Sequence, residues 1–319
     1  EDSRGTALTL ATQAMFKTLG VWEHLQNHST EMRDIIVTDG DGSHDALPSL
    51  LKLHTESNSK AAAAMVENRH LSAALLKAVA ASPNIAMKGG FAFSHFEHST
   101  SCVTLHATSE DVISAPLLIA ADGRNSLVRN QAGIKLTTHD YQQTALSFSI
   151  THSLPHHNTA EEHFSPDGVF AFLPLRNQSA SIVWGTALSH AEYLMTLDDN
   201  AFSKVLQSKM GNRVGAVSMS SKRARFPLVM QIANELIAPR IALLGDAAHA
   251  IHPLAGLGLN LGFKDAAALA DCVMQAFARG GDIGADIVLQ QYQSLRRFDT
   301  LTTSLAMDGM DALFTNNDP

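Results

Sequence analysis

The sequence predicts an α/β fold: a Rossmann-like domain of buried parallel strands and helices, with a second, mainly antiparallel β-sheet domain inserted into it. Three observations carry that prediction. Two short apolar runs, Leu117-Leu118-Ile119-Ala120-Ala121 and Ile241-Ala242-Leu243-Leu244, each end in a turn built from glycine and aspartate. Strands that are apolar on both faces are the mark of a parallel sheet covered by helices. Between them, from Tyr141 to about Pro227, the pattern changes to β-runs joined by segments rich in Asn, Gln, His and Ser, as antiparallel connections are.

Taken in chain order, Arg4 stands in Asp2-Ser3-Arg4-Gly5-Thr6-Ala7-Leu8, just ahead of a helix that ends near Leu19-Gly20-Val21-Trp22. Residues 35–60 read as a short insert that adds strands to the antiparallel sheet. Its Asp39-Gly40-Asp41-Gly42-Ser43 run looks like a calcium loop but lacks the rest of the EF-hand pattern and its helical flanks, so a tight turn is expected. Glu67-Asn68-Arg69-His70-Leu71 opens a helix with apolar residues at Leu71, Ala74, Leu75 and Ala78. Asp122-Gly123-Arg124-Asn125-Ser126 closes the first buried strand with turn chemistry, and Val128 and Arg129 follow in a short helix. Strands are expected over 145–150, 168–175 and 180–185. The second buried strand then meets the Gly245-Asp246 turn, a rigid Pro/Gly loop through Pro253, Gly256 and Gly258, and a helix carrying Asn260, Gly262 and Asp265.

A strand that delivers a carboxylate to a Gly-rich loop at a helix N-terminus suits a ligand with a polyol and an anionic group, because unpaired helix N–H groups attract negative charge. A flavin dinucleotide is such a ligand. The bland alternatives are a turn that only packs a helix on a sheet and, at Asp122–Arg129, a surface turn stapled by an Arg–Asp pair.

The order of these segments adds what each lacks alone. His252-Pro253-Leu254-Ala255-Gly256-Leu257-Gly258-Leu259-Asn260-Leu261-Gly262-Phe263-Lys264-Asp265 resembles the signature of the ubiquinone-biosynthesis hydroxylases, within the para-hydroxybenzoate hydroxylase-like FAD-dependent monooxygenases. Leu257 departs from it, where that signature usually has Gln. Asp122-Gly123-Arg124-x-Ser126-x-x-Arg129 resembles the same family's Asp-Gly motif, and the Arg69 helix start matches a third position. The resemblance implies FAD, held by Arg4, Arg69, Asp122, Gly123, Gly245, Asp246, Pro253, Gly256, Gly258, Leu259 and Asn260. In it Asp246 takes the ribityl hydroxyls, and Pro253, Gly256 and Gly258 border the flavin ring, with Pro174 approaching from the substrate side. His249 and His252 are expected to position that loop. It also implies a discontinuous FAD-binding domain over 1–34, 61–139 and 236–319, and a substrate domain over 35–60 and 140–235 with the active site at the seam. Phe164, Phe170, Phe172, Leu173 and Trp184 offer apolar surface for an aromatic ligand or, equally, ordinary sheet core.

The family's opening strand and Gly-x-Gly-x-x-Gly turn are not found here; Gly256-x-Gly258-x-x-x-Gly262 has a different spacing and context. The sequence is therefore expected to lack roughly the first 35 to 45 residues of the fold, the size of a βαβ unit, and a further helical stretch after its last residues.

In the family, NAD(P)H reduces FAD, O₂ adds to the reduced flavin, and a C4a-hydroperoxide delivers oxygen to an electron-rich ring, so the protein supplies orientation and dryness rather than an acid–base set. The expected substrate is a polyprenylated phenol of ubiquinone synthesis. Two other readings stay open: hydroxylation of a soluble aromatic compound, and a non-catalytic fragment or assembly subunit that has lost FAD binding. The expected location is the cytoplasm, at the periphery of the inner membrane, with room for a homo-oligomer or a ubiquinone-assembly partner.

Composition agrees with an enzyme of this kind. At 319 residues and 45% hydrophobic content the chain buries a large core, and a net charge of −8 argues against a nucleic-acid partner. Two cysteines, Cys102 and Cys272, form no disulfide framework or Cys-x-x-Cys pair. Sixteen histidines invite a metal, yet His152, His156, His157 and His163, or His249 with His252, follow no ordered zinc spacing, and no metal is expected.

Overall fold

The computed structural model describes residues 4–40, 49–55, 61–165, 167–251 and 258–298. Mixed sheets with helices build an α/β molecule. The buried runs at 117–121 and 241–244 become the strands Leu118–Ala120 and Ile241–Leu243, paired in parallel, with Ile237–Ala238 antiparallel on the far side. Helix Gly258–Ala278 and the helical residues 286–298 pack on this sheet through Leu269, Cys272, Val288, Leu289 and Tyr292. Tyr292 is fully buried, and its hydroxyl donates to the Leu243 carbonyl at 2.7 Å.

Arg4 leads first into a strand, Gly5–Thr9, and only then into helix Leu10–Thr18, where Thr9 caps the first turn. Thr6, Ala7 and Leu8 are all buried because this strand pairs with Ala63–Glu67, which in turn pairs with Ser29–Met32. Helix Asn68–Ala81 follows directly and buries Leu71 and Ala74, as its spacing predicts. The segment after it, Phe93–His98, Val103–Ala107 and Val112–Ala115, is a three-stranded antiparallel meander.

The middle of the chain forms a nine-stranded sheet whose central order is Ala224–Ala233, Leu136–His152, Ser179–Ala187, Gly168–Leu175 and Thr159–Ser165. The insert joins it: Asp34–Asp39 pairs in parallel with Thr159–Ser165, and Ser49–His54 continues outward. The turn expected at residues 39–43 falls mostly outside the described residues. Two elements depart from an all-strand middle segment. Helices Leu188–Thr196 and Asp199–Met210 cover one face, their apolar positions Ala191, Leu194, Phe202, Leu206 and Met210 spaced at helical intervals and Asp198 capping the second.

That cover settles which strand residues are core. Leu146, Phe148, Phe170, Phe172, Ile182 and Trp184 face the two helices in one buried cluster. Alternation sends the neighbours Ser147, Ala171, Leu173 and Val183 to the opposite face. There Ser147, Val183 and Ala171 stand opposite one another across three adjacent strands. The apolar set expected for a ligand therefore divides. Phe170, Phe172 and Trp184 are helix-facing core, Phe164 is buried away from the cavity described below, and Leu173 alone lines it. Pro174, for the same reason, pairs with Ala180 of the helix-facing cluster and is not among the residues that line the cavity.

Candidate active site

A cavity of about 730 Å³ lies where the nine-stranded sheet meets the turns of the α/β half. Its sheet wall is Ser147, Ala171, Leu173 and Val183 with Phe226, Pro227, Leu228, Val229 and Gln231. Its other wall is Arg4, Gly5, Thr6, Asn68, Arg124, Asn125, Asp246, Ile251, Gly258 and Leu259. The sheet side is largely apolar and the turn side polar, the lining of a site that holds a planar ring against a charged, hydroxylated tail.

The Gly245-Asp246 turn is fixed by what lies beneath it. Gly245 sits at φ +53°, and its Cα lies only 3.1 Å from where a side chain at Gly262 would begin, so turn and helix touch backbone to backbone. Asp265, fully buried one turn further along the helix, accepts hydrogen bonds from the Gly245 amide at 3.0 Å and from Arg296 Nε at 2.7 Å. His249 Nε2 lies 2.7 Å from the same carboxylate. A buried carboxylate of this kind needs its partners, and here they are the turn, its following strand and the last described helical segment.

Asp246 is exposed on the cavity wall, and its carboxylate accepts no hydrogen bond from the described residues. The side chains of Arg124 and Asn125 likewise have no hydrogen-bond partner among them. A carboxylate acceptor, a guanidinium fork and an amide opening into one cavity match the hydroxyls and phosphates of a flavin dinucleotide. The donor set thus fits FAD.

The two turns are tied together by Arg129. It is buried, donating from Nη1 to the Ala247 carbonyl at 3.0 Å and from Nη2 to the Arg124 carbonyl at 2.9 Å, and burial lowers its pKa from the ordinary arginine value. A side chain two elements away thus sets the spacing of Arg124 and Asp246.

The sequence-based site residues distribute unevenly over this geometry. Arg4, Asp246, Gly258 and Leu259 line the cavity, and Gly245 lies beneath it. Asp122 is turned into a cap: its Oδ2 accepts from the Leu127 amide at 2.9 Å and the Val128 amide at 3.3 Å, and Gly123 at φ +83° makes the bend. Neither lines the cavity; the next two residues, Arg124 and Asn125, do. Arg69 is exposed and paired with Glu67 at 3.0 Å, while its neighbour Asn68 faces the cavity. Asn260 is buried and acts as a staple, donating to the Ala7 carbonyl at 2.6 Å and accepting from the Thr9 amide at 3.0 Å and Thr12 Oγ1 at 2.8 Å. Pro253, Gly256 and His252 lie outside the described residues.

Three of the histidines weighed as metal ligands contact protein groups instead. His152 Nδ1 contacts the Leu154 carbonyl, His156 Nε2 the Leu175 carbonyl, and His163 Nδ1 lies 2.9 Å from Thr38 Oγ1.

Comparison with known proteins shows the family. The family model described as "FAD binding domain" matches residues 1–298. The ubiquinone hydroxylase UbiL of Rhodospirillum rubrum is 34% identical over 316 residues, covering 99% of this chain and 72% of that protein. The 3-demethoxyubiquinol 3-hydroxylase of Escherichia coli is 32% identical over 322 residues, covering 100% of this chain and 80% of that one. Among solved structures, p-nitrophenol 4-monooxygenase PnpA of Pseudomonas putida superposes with a TM-score of 0.82 at 18% identity, over 99% of this chain and 80% of its own, a likeness of fold. The chain belongs to the ubiquinone-biosynthesis hydroxylases, a family of FAD-dependent monooxygenases.

Proposed function

We propose that this chain hydroxylates the ring of a polyprenylated phenol in ubiquinone biosynthesis, with NAD(P)H as the reductant and O₂ as the oxygen source. The observation that carries the reading is the two-walled cavity, in which the polar groups of Arg4, Asn68, Arg124, Asn125 and Asp246 face the apolar sheet row of Ala171, Leu173 and Val183. The curated relatives at 34% and 32% identity, named for ubiquinone and demethoxyubiquinol, supply the substrate class.

When bound, FAD supplies the electron transfer and oxygen activation. The residues of this chain bind and orient. Asp246 would accept hydrogen bonds from the ribityl hydroxyls, Arg4 and Arg124 would pair with the phosphates, and Gly258 and Leu259 bring the start of helix Gly258–Ala278, the end that attracts anionic groups, to the cavity. Ala171, Val183 and Leu228 keep water from the reacting ring. No side chain is assigned a proton transfer. Residues 1–34, 61–139 and 236–319 serve the cofactor, and 35–60 with 140–235 the substrate.

A polyprenylated substrate resides in a bilayer, and a membrane-surface contact belongs to this reading. No helix among the described residues is long and apolar enough to cross a membrane. Phe277 at 71% and Ile287 at 78% exposure, on the two last described helical segments, are apolar side chains available to a lipid surface.

Mass spectrometry of quinone intermediates in a strain lacking the protein tests the substrate: the reading expects accumulation of an under-hydroxylated, prenylated precursor, and a normal quinone profile contradicts it. Ala171→Trp tests the cavity. A large ring on the sheet wall is expected to lower kcat/KM by about 10²-fold through displaced substrate, with FAD content unchanged; unchanged kcat/KM would move the substrate elsewhere.

A further inference from the structure

We propose that His95, Glu97 and His106, on the meander outside the active site, form a binding site for a divalent transition-metal ion of the zinc class. The three residues come from two adjacent strands, Phe93–His98 and Val103–Ala107. One ligand atom from each lies within 4.8 Å of the others. The register explains how they meet. It shifts between Phe93 and His95, so that His95 rather than Ser94 stands opposite His106, and Glu97, two residues on, shares that face. Phe93 and Phe96 meanwhile pack against the core of the α/β half, which fixes the meander beneath the cluster.

The chemistry of the three groups points the same way. The imidazoles of His95 and His106 stack with centroids 4.4 Å apart and planes 3° from parallel. His95 contacts Ser94 Oγ through Nδ1 at 3.3 Å, which leaves its Nε2 for an ion. His106 Nε2 is enclosed without a hydrogen-bond partner, and the Glu97 carboxylate has none among the described residues either. An enclosed imidazole nitrogen with no partner is costly unless something binds it. Two imidazoles and a carboxylate, with an open fourth position for water, are a zinc donor set; magnesium and calcium prefer oxygen alone. Tetrahedral bonds near 2.0–2.1 Å put ligand atoms about 3.3 Å apart, and the in-plane lone pairs of two parallel rings do not converge, so the exposed His95 turns out of the stack, and Glu97 with it, to close the site around an ion.

The ion would clip the first two strands of the meander together without touching the cavity. Isothermal titration of the chelator-treated, FAD-loaded protein with ZnCl₂ tests this, with His95→Ala and Glu97→Gln as variants at exposed positions where folding is not at stake. The expected result is one equivalent bound by the wild type and at least a tenfold loss of affinity in each variant, with Co²⁺ giving tetrahedral absorption bands only in the wild type. No zinc uptake by the wild type, or variants that titrate identically to it (an adventitious ion only), overturns the proposal. Hydroxylase activity and FAD content are expected to be the same in both variants, which separates this test from that of the proposed function.

Discussion

Asp265 shows how a residue far from any ligand governs the site. Its carboxylate holds the Gly245 amide, His249 and Arg296 in a fully buried knot, and Asp246 follows Gly245 directly. Asp265→Ala removes the fully buried carboxylate that the Gly245 amide, His249 and Arg296 share, and is expected to cost about 3–5 kcal/mol, read as a fall in the denaturation midpoint together with loss of flavin from the purified protein. A variant as stable as the wild type would remove the knot from the account. His152 gives a pH-dependent term. Burial holds its imidazole below the usual histidine range, with Nε2 enclosed and unpartnered. The unfolded chain therefore takes up the proton first. Its contribution to stability is full above about pH 6.5 and lost as pH falls through the lower folded-state value. Urea midpoints measured between about pH 7.5 and pH 5 are expected to fall less steeply for His152→Gln than for the wild type; equal slopes would show that His152 does not contribute.

At the scale of elements, the site depends on a turn and a helix meeting closer than side chains allow. Gly262→Ala would place a methyl 3.1 Å from the Gly245 Cα, and backbone can move only by shifting the whole turn. A loss of about 1–3 kcal/mol in stability is expected, with weaker flavin binding because Asp246 moves with the turn; unchanged stability and flavin affinity would mean that the contact is slack. The same scale shows what the sequence reveals and what it conceals. The described part of the signature is legible because its polar residues have separate tasks, Asp265 beneath Gly245 and Asn260 against Thr9 and Ala7. The facing of the strand Gly168–Leu175 is not, because Gly-Val-Phe-Ala-Phe-Leu-Pro-Leu is apolar on both sides and carries no period of two. Large aromatic residues there mark the helix-covered core, and the small or aliphatic Ala171 and Leu173 mark the cavity, the reverse of an expectation based on ring size. Asp122 shows a related ambiguity: a carboxylate before a short helix is as apt for capping amides as for meeting a ligand, and the fold shows that it caps while Arg124 and Asn125 line the cavity. The His95–Glu97–His106 cluster escapes a linear search because a cross-strand register, not a spacing, brings it together.

For the whole molecule, two surfaces of different origin enclose one space: a parallel-strand unit that ends its strands in turns, and an antiparallel sheet whose far face is closed by helices. The parallel pair Leu118–Ala120 and Ile241–Leu243 brings the two turns side by side, and Arg129 joins them. The exposed Phe277 and Ile287 belong to this scale as well. Cosedimentation with phospholipid vesicles is expected to decrease when both are changed to Ser; equal sedimentation of the double variant would remove them from any membrane contact. The central claim, that the cavity between the two halves is the flavin site, rests most heavily on Asp246, an acceptor with no hydrogen-bond partner among the described residues. Titration of the flavin-stripped protein with FAD, followed by flavin fluorescence, tests it most directly in the wild type and Asp246→Ala. Loss of hydrogen bonds to a charged acceptor, worth about 1.5–3 kcal/mol, predicts a Kd roughly 10- to 100-fold higher in the variant at unchanged stability. An equal Kd in a folded Asp246→Ala would contradict the account.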